Sequence, residues 1–249
     1  MITRYHKLAL TAGFVLALAL TFSCSSDDGN DNPPPLAASG VSSGSGSGCT
    51  ASNNTSTHYC SNGTMKTYGS TPEVGGRTYK TVIIGAQTWM AENLNYNASG
   101  SKCGRTDGYL TNENTPTCAT YGRLYDWETA KTVCPSGWRL PSNEEWTTLV
   151  NSVGGSYTAG TKLKAANGWR DGSNNNGTDE FGFSALPGGR GYSDGDFYYV
   201  GLRGFWWSAT DYSASYAYSR YMYYFSAYVD SYGDVKSSLF SVRCVQDKA

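Results

Sequence analysis

The chain has 249 residues with 19 Lys and Arg against 20 Asp and Glu, a formal net charge of −1, and only 16% charged residues. Without a basic excess or a Lys/Arg cluster to follow a phosphate backbone, a nucleic-acid partner is excluded. The 20 Tyr, 7 Trp and 30 Gly instead describe aromatic strands and loops joined by tight turns.

Arg4 and Lys7 precede an apolar run over residues 8–22, the length of a signal-peptide core. As a helix it extends about 22 Å, short of a bilayer core of about 30 Å, so residues 1–23 read as an export address and not as a span. Cys24 follows the small Ser23, where the apolar run gives way to a Ser/Asp/Gly/Pro-rich stretch. This region resembles a bacterial lipoprotein signal, in which the mature chain begins with a diacylated Cys. The sequence departs from that pattern at Thr21, where Leu is usual, with Leu20 one place out of register. The alternative is ordinary secretion with cleavage nearby. The lipid reading makes Cys24 the attachment point and the membrane a partner through that lipid. The acidic residues after Cys24 favour the outer membrane or cell surface. Residues 24–48 have almost nothing apolar to offset backbone ordering, so they read as a disordered tether with a span of roughly 25–30 Å.

Seven cysteines are an awkward count for an exported chain. With Cys24 assigned to lipid, Cys49, Cys60, Cys103, Cys118, Cys134 and Cys244 remain, enough for three bridges in an oxidising compartment. Cys49 with Cys60, and Cys103 with Cys118, are near neighbours in Gly/Ser/Asn/Thr-rich loops with no apolar period, and read as local staples. Cys134 with Cys244 then closes the long loop, worth roughly 4–5 kcal/mol on the loop-entropy account, against about 3 for a loop near 15 residues. Zinc competes for these thiols, but no Cys-x-x-Cys occurs and the histidines are His6, in the signal, and His58. No metal site is assigned.

Residues 49–76 form a loop-rich, disulfide-stapled lead-in, an ordered loop or weak hairpin. The main domain is placed at 77–249. TYKTVII at 78–84 reads as a strand, Gly85-Ala86 as a type II′ turn, and residues 87–90 as the return strand. Residues 95–120 form an irregular excursion pinned by Cys103 and Cys118. In DWETAKTVC, 126–134, Trp127, Ala130, Val133 and Cys134 fall three or four apart, which predicts a short amphipathic helix ended by Pro135-Ser136-Gly137. Ser142 and Glu145 make a capping box, Trp146, Leu149, Val150 and Val153 make an apolar stripe, and Gly154-Gly155 stops the second helix. A brief helical piece is expected at 161–166, a polar loop at 171–178, and short strands from Phe181-Gly182-Phe183. FWWSAT at 205–210, the Tyr-rich stretch at 216–229 and SVRCVQ at 241–246 are the remaining strand candidates. The order predicts an α+β fold, two short helices packed on antiparallel strands with long pinned loops.

VIIGAQTWMAENLNY at 82–96, YGRLYDWETAKTVCPSGWRLPSNEEWTTLV at 121–150, GTDEFGFSALPGG at 177–189, WWSAT at 206–210 and SVRCV at 241–245 together resemble the Fibrobacter succinogenes major paralogous domain of exported bacterial proteins. Leu239-Phe240 departs from the Gly-Phe pair usual there. That family is similar to the C-type lectin-like fold. Trp127, Ala130, Cys134, Gly137, Leu140 and Glu145 follow the lectin-like order, and the resemblance implies that Cys134–Cys244 is the fold's long bridge from first helix to last strand. RLPSNEEW at 139–146 also resembles formylglycine-generating enzymes, but their chemistry needs a cysteine pair in the C-terminal half. Here Cys244 is the only cysteine after Cys134.

Fold does not settle function. The Glu-Pro-Asn, Gln-Pro-Asp and Trp-Asn-Asp triplets of calcium-dependent lectins are absent. Asp171, Asn174, Asn176 and Asp179 are oxygen ligands of a type that suits calcium, though turn formation explains them as well, and no cofactor is assigned. Glu144 and Glu145 point apart on a helix, and a Ser–His–Asp assembly has only His58 to draw on. In YAYSRYMYYFSAY, 216–228, both alternating sets are aromatic. Tyr216, Tyr218, Tyr221, Tyr223, Tyr224 and Tyr228 are therefore the candidate ligand-binding residues: one face is a platform for sugar rings or a protein surface, unless long loops bury the strand on both sides. The expectation is a non-catalytic binding or adhesion module for a polysaccharide or protein. A hydrolase-type enzyme of unrecognised class and a structural envelope component are the alternatives.

Overall fold

The computed structural model describes residues 48–106, 116–170 and 176–248. Residues 1–47, on which the expected signal, Cys24 and nearly all of the expected tether fall, lie outside the described residues, as do Asp171 and Asn174.

The lead-in is a hairpin, β1 (His58–Ser61) against β2 (Thr64–Thr67). Its turn is Asn62-Gly63, with φ of 48° and 76°, the left-handed pair that a type I′ turn requires and Asn-Gly supplies at little cost. β1 carries Cys60, bonded to Cys49, and sinks Tyr59 into the interior. β3 (Gly69–Ser70) pairs with β4 (Lys80–Ile84), which returns to β5 (Gln87–Met90). Gly85 alone of the two turn residues has positive φ, 59°, as type II′ demands.

Within the pinned excursion, β6 (Lys102–Cys103) pairs with β7 (Arg123–Leu124), and α1 (Cys118–Tyr121) starts at the Cys103–Cys118 bond. Helix α2 (Trp127–Ala130) is capped by Asp126, which accepts from the Thr129 amide at 2.8 Å. It stops at Ala130 and not at Cys134. The β-branched pair Thr132-Val133 and the restriction that Pro135 places on Cys134 both disfavour another turn. Val133 is buried nonetheless. After β8 (Trp138–Arg139), α3 (Asn143–Ser152) carries the reciprocal capping box of Ser142 and Glu145. Gly154 and Gly155, at φ 110° and 86°, reverse the chain, and α4 (Ser156–Leu163) follows at once. The helix expected at 161–166 thus begins five residues earlier, because the double glycine frees the chain to start a new turn immediately.

Residues 181–183 are a turn, not strands, since Asp179 (φ 44°) just before them and Gly182 (φ 65°) within them bend the backbone. A small ribbon pairs β9 (Arg190–Gly191) with β10 (Phe197–Tyr198). β11 (Arg203–Asp211), β12 (Tyr216–Tyr223) and β13 (Asp230–Val235) make a three-stranded antiparallel sheet with β12 in the middle. The strand expected at 241–246 shortens to β14 (Val245–Gln246), which lies between β5 and β8 in the order β3-β4-β5-β14-β8. Cys134 and Cys244 are bonded across 110 residues. The architecture is α+β and mostly antiparallel.

The core lies on both faces of β11. Trp206 and Met222 join Trp89, Trp146 and Phe183 on one side, with Trp89 and Trp146 centroids 4.7 Å apart. Phe205 and Trp207 meet Tyr125 and Phe240 on the other, with Trp207 and Phe240 at 4.3 Å. Each fully buried Trp removes roughly 150–250 Å² of surface from water, about 4–6 kcal/mol before chain entropy is set against it.

Burial also sets the response to alkali. It pushes the Tyr68 phenol up to about 12 and raises Tyr79, Tyr121 and Tyr125 above the ordinary 10.0. A folded pKa above the unfolded one means that stability is complete below pH 10.0 and is lost as pH rises through the folded values. Lys164 works in the opposite sense. Burial lowers it to about 8 from 10.5, so its unfavourable charge is relieved across that interval. Melting temperature is therefore expected to rise between about pH 8 and pH 10 and then to fall, with phenolate absorbance rising together with the loss of near-ultraviolet circular dichroism. Phenolate formation well before unfolding would contradict this.

Candidate functional site

The six tyrosines of the sequence expectation do not form one platform. β12 ends at Tyr223, so Tyr224 and Tyr228 lie in the loop that leads to β13. On the even side of β12, Tyr216 is exposed, Tyr218 is half-buried against Tyr212 at 5.1 Å, and Met222 is in the core. Arg220, on the same side, turns into the protein and donates from Nη2 to the Asn143 carbonyl and side chain and to Thr147 Oγ1, at 2.7–2.8 Å. On the odd side Ala217 and Ser219 are buried, while Tyr221 and Tyr223 are half-exposed. The physical reason is the sheet's position: with core on both faces, a central strand can offer rings to solvent only at its ends.

What does assemble is a band of rings at one end of that sheet. Tyr192 meets Tyr198 at 5.7 Å, and Tyr198 meets Tyr199 at 6.1 Å. The Arg203 guanidinium lies between Tyr199 and Tyr223, 4.1 and 3.8 Å from their centroids. Tyr223 then meets Phe225 at 5.0 Å, and Phe225 meets Tyr224 at 5.0 Å. The pairing of Arg203 with Tyr223 across β11 and β12 sets the arginine in register with the ring. Tyr199 takes φ 67°, which is costly for a bulky side chain. The amides of Leu202 and Arg203 both donate to its carbonyl at 2.9 Å and hold the turn. Phe225 is 66% exposed.

The loop that carries Phe225 is fixed from behind. Lys164 Nζ donates to the carbonyls of Tyr223, Tyr224 and Ser226 at 3.0–3.2 Å. Gly160 of α4 donates to the Ala227 carbonyl at 2.8 Å, and a Cβ there would sit 2.6–2.7 Å from the carbonyls of Tyr228 and Ala227. The close approach of helix to loop therefore requires glycine. Tyr228 stands apart from the band and packs edge-on against Tyr157 at 5.2 Å.

Two charge effects shape the band. Desolvation raises both Tyr221 and its cross-strand partner Asp230, and the Asp196 carboxylate raises the phenol of Tyr198, so these tyrosines present neutral hydroxyls. Beyond Tyr192 opens a cleft of about 450 Å³ lined also by Asp126, Glu128, Lys236 and Leu239.

Tyr192, Tyr198, Tyr199, Arg203 and Phe225 were not among the expected site residues. Phe225 lay within the aromatic stretch at 216–228, and the FYY run at 197–199 was a visible signal for Tyr198 and Tyr199, but their contact with Tyr223 depends on how β9, β10 and β11 come together. Of the calcium set, the described members are engaged within the protein. Asp179 accepts from the Ser184 amide at 2.7 Å and from its hydroxyl at 2.5 Å, and Asn176 Oδ1 accepts from the Trp169 amide at 3.0 Å. Among the described residues, no group of three or more His, Cys, Asp or Glu side chains could hold a metal ion. Glu145 caps α3 and pairs with Arg139, and exposed His58 bonds the Thr57 hydroxyl at 2.9 Å.

No curated protein and no solved structure matches the chain. The family model of the Fibrobacter succinogenes major domain matches residues 82–246, from β4 through β14 and so across the aromatic band, and the chain belongs to that family.

Proposed function

We propose that this chain is an exported, lipid-anchored lipoprotein carrying a non-catalytic binding or adhesion module at the cell surface, with a polysaccharide as its ligand. The observation that carries this reading is the rigid aromatic band from Tyr192 to Phe225, with an arginine set between two rings and a cleft at one end. Tyrosine suits sugar recognition because its ring face stacks on the apolar face of a pyranose while its hydroxyl remains wet. Cys24 supplies the lipid and the tether supplies reach. The C-type lectin-like reading of the domain is supported by the bond from the segment after α2 to the final strand, and by that strand's place beside β5.

The test is retention of the full chain on a panel of insoluble and arrayed polysaccharides, comparing the native sequence with Tyr198→Ala, Tyr223→Ala and Phe225→Ala. Each substitution is expected to weaken retention about tenfold, the loss of one stacking contact of about 1.4 kcal/mol. Retention on no polysaccharide moves the ligand to a protein partner. Undiminished retention by the three variants removes the band as the binding face.

A further inference from the structure

A second polar cavity shares none of the band's residues. It is a cup of about 190 Å³ whose walls come from four separate parts of the chain: Tyr68, Lys80, the stretch from Ala91 to Asn95, and α1 with Tyr121, closed by Ser184 and Leu186. At ~30 Å³ per liquid water it has the capacity of about six waters, room to seat one sugar ring. The geometry points to a binding site for a single acidic sugar, a hexuronic acid unit, with its carboxylate on Lys80 and its hydroxyls at Tyr121 and Asn95, since Asn93 is already engaged on both side-chain atoms.

The charge count carries the anionic choice. Arg77 Nη2 donates to Glu92 Oε1 at 2.6 Å, and the Lys80 amide donates to Glu92 Oε2 at 2.7 Å, so both oxygens of the one acid in the wall are engaged. Behind Ser184, Asp179 and Arg243 offset each other. This leaves the Lys80 ammonium, 4.9 Å over the Tyr68 ring, as surplus positive charge, without an ion-pair partner among the described residues. The cup is also preorganised. Arg243 is wholly buried, and it donates to Asn93 Oδ1 at 2.8 Å and to the Ser184 carbonyl at 2.7 Å, locking two opposite walls together. Ser184 and Asp179 both hold left-handed backbone, φ 51° and 44°. Strain of this kind persists where the surroundings over-determine it, and it gathers at ligand sites. Burial keeps the Tyr68 and Tyr121 phenols neutral; Tyr68 is bonded to the Ser184 hydroxyl and retains acceptor capacity, while Tyr121 can donate to and accept from sugar hydroxyls.

Calorimetric titration of the full chain with galacturonate and glucuronate, against glucose and galactose, tests the assignment. Saturable binding of a uronate, with the neutral sugars about tenfold weaker, is the expected result, and Lys80→Met, which keeps the apolar stem over Tyr68, loses about the same factor for the uronate. Lys80→Gln serves as a second variant, and melting curves check that each is folded. A trigalacturonate arm separates the free acid from a chain end. No saturable uronate binding, equal binding of neutral sugars, or unchanged binding in a folded Lys80 variant overturns the assignment. Because the cup and the band are separate, such a failure leaves retention by the aromatic face unaffected.

Discussion

Replacing Cys134 and Cys244 together by alanine is expected to lower the free energy of unfolding by about 4–5 kcal/mol, the loop-entropy value for a link across this separation. The link spans 110 residues and holds the least self-sufficient element of the fold. β14 has two residues, yet it is the connector between β5 and β8: Val245 pairs with both Trp89 and Arg139. Two residues of ladder cannot offset the entropy of pinning this segment, and the sulfur bridge reduces that entropy in advance. The Met90 amide donates to the Cys244 carbonyl at 3.0 Å, so loosening Cys244 opens the neighbouring strand as well. Removing Cys103 and Cys118, separated by 15 residues, should cost about 3 kcal/mol. Denaturant titration of the two double variants measures both values. A loss below about 1 kcal/mol for the long bridge would show that packing alone seats the final strand.

Arg243→Met is the second large effect, with an expected loss of about 3–5 kcal/mol. The guanidinium is completely buried and satisfies the carbonyls of Phe183 and Ser184 and the side chain of Asn93. Desolvation lowers its pKa, whereas Asp179 acts to raise it, and Asp179 is itself raised by burial. Removing the cation leaves Asp179 without its counter-charge and strands the Phe183 and Ser184 carbonyls, whereas Asn93 Oδ1 keeps the Trp206 indole donor at 2.9 Å; the loss costs more than the pair contributes when complete. Arg243→Lys should recover little, because a point charge with one flexible end cannot reach three acceptors at fork geometry. Adding Asp179→Asn to Arg243→Met should restore part of the loss. A double-mutant cycle that shows simple additivity would dismiss the coupling.

Much of this fold was legible because its signals are local. The Ser142–Glu145 box, the apolar stripe from Trp146 and the single glycine of the II′ turn act within a few residues of themselves, and all are found as expected. The bridges were legible for a different reason, since short spacing in loops without an apolar period leaves few sensible partners. Asn62-Gly63 carried an equally clear turn signal in a segment read only as a loop or weak hairpin.

The tyrosine-rich stretch misled because strand periodicity says which residues share a side, not which side is covered. FWW on β11 places large rings on both faces of the sheet, and beside them β12 sends Met222 into one core cluster and Ala217 into the other. The rings that remain outside are joined by residues from the β9–β10 ribbon, a contact no window of sequence contains. Arg243 was similarly hidden: an arginine in a strand-like run reads as solvent-facing until an acid more than 60 residues away is brought behind it.

The seat of β14 in the middle of its sheet imposes an order on the chain's assembly. β3, β4 and β5 can pair as soon as they exist, but β8 has nothing to join until residues 245 and 246 arrive. The five-stranded sheet therefore closes only once those two residues are seated, and the Cys134–Cys244 bond is what fastens the late-arriving strand to a segment folded long before it.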